Sequence, residues 1–125
     1  MTLVDASHSI SEAADRTGLS THTLRYYERE GLMLGGVDRA SSTHRRYSDA
    51  DITWVEFLAK LRSTAMPIAK VREYVDLVRL GEESMPARLE LLLKHRESVV
   101  VQLLEMTRSL AAIDYKISTY RKGNK

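Results

Sequence analysis

His22, Arg25, Tyr26 and Arg29 recur at i, i+3, i+4 and i+7, the spacing that places four side chains on one face of an α-helix. That face is cationic, aromatic and rich in hydrogen-bonding groups. It suits a helix lying in a DNA major groove. Arg25 can bond guanine bidentately or clamp a phosphate, and His22 with Thr21 or Thr23 can reach base edges. The Tyr26 hydroxyl can donate to a phosphate. The plain alternative is a solvated helix face. A second group, Arg39, His44, Arg45 and Arg46, has no acid between Arg39 and Ser48. Beside a groove-reading helix it reads as a wing gripping the sugar-phosphate backbone; alone it reads as a solvated loop.

The elements that must hold these groups are legible from caps and breakers. Ser9-Ile10-Ser11-Glu12 is a capping box, in which Ser9 accepts the amide of Glu12 and Glu12 reaches back to that of Ser9. A short helix follows through Arg16, and Gly18 ends it as a left-handed residue. Ser20 caps a second helix whose inward face carries Ser20, Leu24, Tyr27 and Gly31, and Gly31 stops it. Two short helices joined by a tight turn form a helix-turn-helix pattern. Val37-Asp38-Arg39 and His44-Arg45-Arg46-Tyr47 flank a polar tip, Ser41-Ser42-Thr43, as two strands of a hairpin would.

Ser48 caps a third helix, with Asp49 and Asp51 suiting its positive end. Ile52, Val55, Leu58, Ala59 and Arg62 share one side of it, and Leu61 extends that side. Ala65-Met66-Pro67 is a break, with Pro67 placed in the first turn of a fourth helix. That helix shows Val71, Tyr74, Val75 and Val78 at helical spacing and ends before Gly81.

From Pro86 to Tyr120 there is no Gly or Pro. Two heptad series run along this stretch. One is Leu89, Arg96, Leu103, Leu110, Ile117; the other is Leu92, Val99, Met106, Ile113, Tyr120. Arg96 alone is charged. Heptads sustained this long predict a coiled coil, and the partner that fits is a second copy of the chain. The expected organisation is therefore a DNA-binding domain over 8–80, a dimerisation helix over 84–121, and tails at 1–7 and 122–125.

Composition narrows the function classes. The 125 residues include 43% hydrophobic and 29% charged, enough for a core and a solvated surface. The net charge of +2 decides nothing, because residues 1–62 hold eight Lys/Arg against nine Asp/Glu. The argument rests on where particular charges sit. There is no cysteine, so disulfides, thiolate metal sites, Fe–S clusters and cysteine nucleophiles are closed. His8, His22, His44 and His95 show no metal-ligand spacing, so neither metal nor cofactor is expected. No apolar run approaches the roughly 18 residues of a membrane span, and the N-terminus lacks the regions of a signal peptide; a cytoplasmic location is expected. No Ser/His/Asp or paired-carboxylate spacing and no phosphate-binding glycine loop points to an enzyme. The other rival is a coiled-coil adaptor without DNA binding, which gives no reason for the helix stripe and the wing arginines to coincide.

Several ordered stretches resemble one family. Ser11-Glu12-Ala13-Ala14, Gly18-Leu19-Ser20, Thr23-Leu24-Arg25-Tyr26-Tyr27-Glu28, Glu30-Gly31-Leu32 and Arg45-Arg46-Tyr47-Ser48-Asp49-Ala50-Asp51-Ile52 look like the signature of MerR-type transcription regulators. Met66-Pro67-Ile68-Ala69-Lys70-Val71-Arg72 looks like that family's second wing. The likeness covers residues 8–80 closely. It implies a mostly α fold: a winged helix-turn-helix with a small β-hairpin wing, a second helix pair, and a long C-terminal antiparallel coiled-coil helix. It implies a homodimer on a pseudo-palindromic promoter site in double-stranded DNA with an overlong spacer. The DNA would be bent and untwisted so that RNA polymerase meets both promoter elements, which is readout through deformation. By position, Thr21, His22, Thr23, Arg25 and Tyr26 would be recognition-helix contacts, Arg45, Arg46 and Tyr47 first-wing contacts, and Arg62 a phosphate contact from the second wing.

Two positions depart from the family pattern. Thr43 stands where a Gly is frequent before the basic wing strand. Ala65 stands where a Gly is frequent between the second-wing helices; there a left-handed Ala costs of order 1 kcal/mol, or the turn differs. Thiolate sensing is closed by the missing cysteines, and the large C-terminal drug-binding domain of some relatives is not expected. A small-molecule effector between the fourth helix and the coil, near Met66, Tyr74, Met85, Met106 and Tyr115, a protein partner, or no effector at all remain. Those five residues read equally as ordinary core.

Overall fold

Ser9 ends one element and starts the next. Its backbone closes strand β1 (Ser7–Ser9), and its side chain caps helix α1 (Ile10–Thr17). The computed structural model describes residues 7–35, 38–39 and 45–123, with the backbone alone at 38, 39 and 45. The chain divides into two units, Met1–Met85 and Pro86–Lys125. After α1 the first unit contains α2 (Thr21–Arg29), β2 (Asp38–Arg39), β3 (Arg45–Ser48), α3 (Asp49–Ser63), α4 (Ile68–Arg79) and a short 3-10 turn (Glu82–Ser84).

The caps act as the sequence requires. Ser9 Oγ accepts the Glu12 amide at 3.2 Å, and Glu12 Oε1 accepts the Ser9 amide at 3.0 Å. Hydrogen bonding of the Glu12 carboxylate to the Ser9 backbone first, and to the Ser9 side chain second, holds that carboxyl below its ordinary pKa. Gly18, at φ 74°, closes α1 through its N–H to Ala14 O at 2.9 Å. A residue without Cβ takes that conformation with little strain. Ser20 Oγ accepts the Thr23 amide at 3.0 Å. At the far end of α2, Gly31 N–H bonds Glu28 O and Leu32 N–H bonds Tyr27 O, the paired closure of a Schellman motif.

The wing contains one strand more than the expected hairpin. β3 is central in a three-stranded antiparallel sheet of order β1-β3-β2. Its registers are Ser7↔Ser48, His8↔Tyr47 and Ser9↔Arg46 on one side, Asp38↔Arg46 and Arg39↔Arg45 on the other. Ser7, read as tail, thus belongs to the sheet. A three-residue strand, Ser7-His8-Ser9, with no apolar residue gives no period to read, so only its pairing defines it. The tip Ser41-Ser42-Thr43 lies outside the described residues, and the Thr43 turn with it.

α3 opens on a second capping box, Ser48 with Asp51, closed by bonds of 3.0 and 2.9 Å. Asp49 Oδ1 accepts from Arg16 Nη1 at 2.9 Å and lies 2.7 Å from His8 Nε2. This cluster ties β1, α1 and the start of α3, and it holds the Asp49 carboxyl below its ordinary value, the His8 bond first and Arg16 second. The core draws on every helix of the unit: Ala13, Leu24, Tyr27, Ile52, Val55, Leu58, Leu61, Val71 and Val75 are buried. Met66 is buried with them, as an ordinary core residue is.

The break between α3 and α4 keeps a left-handed residue although it carries alanine. Ala65 has φ 72° and is the one non-glycine residue with positive φ among those described. Ala65 N–H bonds Arg62 O and Met66 N–H bonds Leu61 O, each at 3.0 Å. Pro67 precedes α4 as its N-cap, at φ −59° and ψ 147°, one residue earlier than expected. Residues preceding the first helical position are extended, and that is what ψ records here.

The second unit is one helix, α5 (Met85–Arg121), of 37 residues, about 55 Å long. None of its side chains is buried. Leu89, Leu103, Met106, Leu110, Ile113, Ile117 and Tyr120 are all exposed.

Candidate nucleic-acid interface

Helix α2 presents the expected stripe. His22, Arg25 and Arg29 are exposed and Tyr26 is half-buried, while Leu24 and Tyr27 face the core. Among the described residues no acceptor pairs with the Arg25 guanidinium or the His22 imidazole, so both remain available to a ligand. Arg29 is already engaged: its guanidinium carbon lies 5.7 Å from the Tyr26 ring centre, a cation–π distance. Tyr26 in turn leans on Tyr27 at 6.1 Å and 53°. Tyr26 and Arg29 thus form a coupled pair within the stripe. Thr23 is half-buried and its hydroxyl meets Ser20 Oγ at 3.0 Å; Thr21 is half-buried beside it.

The acids near this helix are held by neighbours. Glu28 accepts a hydrogen bond from the Tyr47 hydroxyl, and Glu30 accepts from Arg72 at 2.8 Å. The stripe itself holds Arg25 and Arg29 and no acid, so its charge is set by placement and not by the balance of residues 1–62. Burial pushes the Tyr27 hydroxyl above its ordinary pKa, opposed by the charge of Arg62. Tyr27 therefore stays a neutral core ring.

Tyr47 is not a surface contact. Its side chain is 0% exposed, and its hydroxyl is committed to Glu28. Successive residues of a strand point to opposite faces, so β3 cannot offer Arg46 and Tyr47 to one ligand. That alternation was readable in the sequence. Arg46 takes the other face, half-buried, with Nε donating to Ser7 Oγ at 2.8 Å and Nη2 to Ser7 O at 2.9 Å. A guanidinium has five N–H donors, so donors remain for a phosphate. Arg39 and Arg45 face each other in the β2–β3 ladder as backbone. His44 lies outside the described residues. Arg62 is exposed and donates from Nη1 to Met66 O at 2.7 Å, bracing the Ala65 turn.

Three residues that sequence reasoning passed over hold the site in place. Trp54 Nε1 donates to Leu32 O at 2.8 Å. Arg79 Nη2 donates to Gly31 O at 2.7 Å and to Met33 O at 2.5 Å. Arg72 binds Glu30. All three join α3 or α4 to the segment that leaves the recognition helix, over separations of 22 to 48 residues. No local pattern encodes a pairing that distant. Among the described residues no group of three or more His, Asp or Glu could hold a metal ion, and no helix is long and apolar enough to cross a membrane.

Comparison with known proteins fits this geometry. Residues 8–77 match the family model described as MerR HTH family regulatory protein. An HTH-type transcriptional regulator of Haemophilus influenzae is 31% identical over 117 residues, covering 94% of this chain and 86% of its own. The regulator YyaN of Bacillus subtilis is 33% identical over 125 residues, covering 90% of each chain. Among solved structures, HiNmlR, described as a MerR family regulator lacking the sensor domain and bound to promoter DNA, superposes with a TM-score of 0.88 at 30% identity, covering 94% of this chain and 88% of that one. On the family match, these relatives and the shared fold, the chain is a member of the MerR family of helix-turn-helix transcription regulators, and not an enzyme.

Proposed function

We propose that the chain binds promoter DNA as a homodimer, with α2 in the major groove and the wing on the flanking backbone. The observation that carries this reading is the face on which His22, Arg25 and Arg29 are exposed beside half-buried Tyr26, with the nearby acids Glu28 and Glu30 engaged by Tyr47 and Arg72. The promoter-bound relative HiNmlR, with the same fold, supports it. Thr21, His22, Thr23 and Arg25 supply base-edge and phosphate contacts, Tyr26 and Arg29 flank them, and Arg39, His44, Arg45, Arg46 and Arg62 grip phosphate. Tyr47 is left out of this set.

The second copy is supplied by α5. Leu89, Leu92, Arg96, Val99, Leu103, Met106, Leu110, Ile113, Ile117 and Tyr120 form its seam, packed antiparallel against the same residues of a partner. An apolar stripe of this length exposed on a free helix is unfavourable, at roughly 25 cal/mol per Å² of apolar surface. A two-fold dimer implies a pseudo-palindromic site. Distortion of an overlong spacer, read by RNA polymerase, is the regulatory step. Without cysteine any signal arrives by a route other than a thiolate.

Fluorescence anisotropy tests this directly. The protein is titrated with duplexes enriched from a random pool, against unrelated competitor of equal length. Competitor-resistant binding at one dimer per duplex is expected. Arg25→Ala should weaken it by about 1–3 kcal/mol. Failure to enrich any duplex would refute the reading.

A further inference from the structure

Past its own backbone closure, the recognition helix runs into a segment held by side chains of α3 and α4. The chain leaves α2 through Gly31, Leu32 and Met33, which belong to no helix or strand, so their carbonyls depend on other partners. Gly31 O and Met33 O both accept from Arg79 Nη2, at 2.7 and 2.5 Å, and Leu32 O between them accepts from Trp54 Nε1 at 2.8 Å. Three consecutive carbonyls are thus bound by α3 and α4. Leu32 and Met33 are buried, so a carbonyl stripped of its donor there is poorly rescued by water. Trp54 is itself fixed to α4, its ring stacked on Tyr74 at 6.0 Å and 16°. Arg72, two turns earlier on α4, holds Glu30.

We infer that Arg79, with Trp54 beside it, is a positioning residue for DNA recognition: it fixes the junction between recognition helix and wing to the second helix pair. The inference rests on the DNA-binding reading proposed above and deepens it. Arg79 reaches its two carbonyls across 46 to 48 residues of sequence, and its other terminal nitrogen lies 3.7 Å from Asp76 Oδ1. The guanidinium is therefore committed to these partners, although its side chain is 39% exposed. Removing it frees the Gly31–Met33 segment, and with it the angle at which α2 and the wing meet a duplex together. Base-edge bonds depend on that angle; long-range attraction to phosphate does not. A positioning residue should therefore affect discrimination and spare non-specific affinity. Lysine cannot reproduce a planar fork spanning two acceptors.

The test uses full-length wild type, Arg79→Gln, Arg79→Lys and Trp54→Phe. Each is titrated by anisotropy against a duplex enriched by the wild type and against a scrambled duplex, at several salt concentrations, well below its melting temperature. Arg79→Gln is expected to lose about tenfold for the enriched duplex, the equivalent of one lost hydrogen bond. Affinity for the scrambled duplex should stay within about twofold and the salt slope should hold. Trp54→Phe, which keeps the ring stack, should shift discrimination the same way, and Arg79→Lys should recover only part of it. If Arg79→Gln does not fold, these two carry the test. Equal loss on both duplexes with the salt slope reduced by about 1 would make Arg79 a phosphate contact and overturn the inference. Unchanged discrimination in all variants would overturn it too. A wild type that enriches no duplex would instead remove the DNA-binding reading, and the inference with it.

Discussion

Replacing Ala65 with glycine should stabilise the protein, and replacing Gly18 with alanine should destabilise it by a similar amount. Both residues sit just past a helix end in the left-handed region, at φ 72° and 74°. For an L-residue that conformation costs roughly 1–2 kcal/mol. Glycine removes the strain but adds about 0.4–1 kcal/mol of unfolded-chain entropy. The difference leaves a gain of about 0.5–1 kcal/mol for Ala65→Gly. A Cβ built on Gly18 meets nothing within 4 Å, so the loss in Gly18→Ala is backbone strain without a packing contribution. Ala65 must keep its turn because Met66 behind it is 2% exposed and its carbonyl anchors Arg62. Urea denaturation of both variants and wild type, at one fixed protein concentration so that dimerisation adds a constant, measures the two differences. Ala65→Gly should raise the melting temperature by about 2–5 °C. A neutral or destabilising Ala65→Gly alongside a destabilising Gly18→Ala would show that the alanine turn is not strained as the backbone implies.

Tyr47→Phe should cost about 1–2 kcal/mol of stability by taking a charge-assisted donor from Glu28, while DNA affinity well below the melting point changes less than about twofold; a large affinity loss in a fully folded variant would return Tyr47 to the contact set. Asp49→Asn should lower stability near neutral pH and flatten its acid dependence. A carboxyl whose pKa falls on folding adds stability above its unfolded value and loses it as pH drops through the folded one, so the gap between wild type and variant should close below about pH 4; a gap that persists to lower pH would mean the effect is not electrostatic. Charged residues at both Leu103 and Leu110 should yield monomers in sedimentation, and a persistent dimer would refute the pairing assigned to α5.

The local elements were legible because their signals are local. Ser9, Ser20 and Ser48 each announce a helix start through a bond to a residue three positions on. Gly18 and Gly31 announce stops through a backbone that other residues resist. The heptads of α5 repeat over enough turns to define a helix without any partner in view. The stripe on α2 was legible for the same reason, since i, i+3, i+4 and i+7 is a property of one helix.

What the sequence could not determine is whatever depends on two distant segments meeting. Strand β1 exists because Ser7–Ser9 pairs with β3, and nothing within three residues foretells that. Whether Ala65 would keep the left-handed turn depended on the buried Met66 that the turn positions. That Arg46 and Tyr47 alternate was legible, but which of them turns to the core was decided when β3 packed. Which neighbours hold the acids beside the α2 face, Tyr47 for Glu28 and Arg72 for Glu30, was likewise decided by contacts between distant segments. Above all, the grip of Trp54 and Arg79 on three consecutive carbonyls was decided by tertiary structure alone: a carbonyl carries no side-chain identity, so no residue type in the sequence marks where its donor will come from.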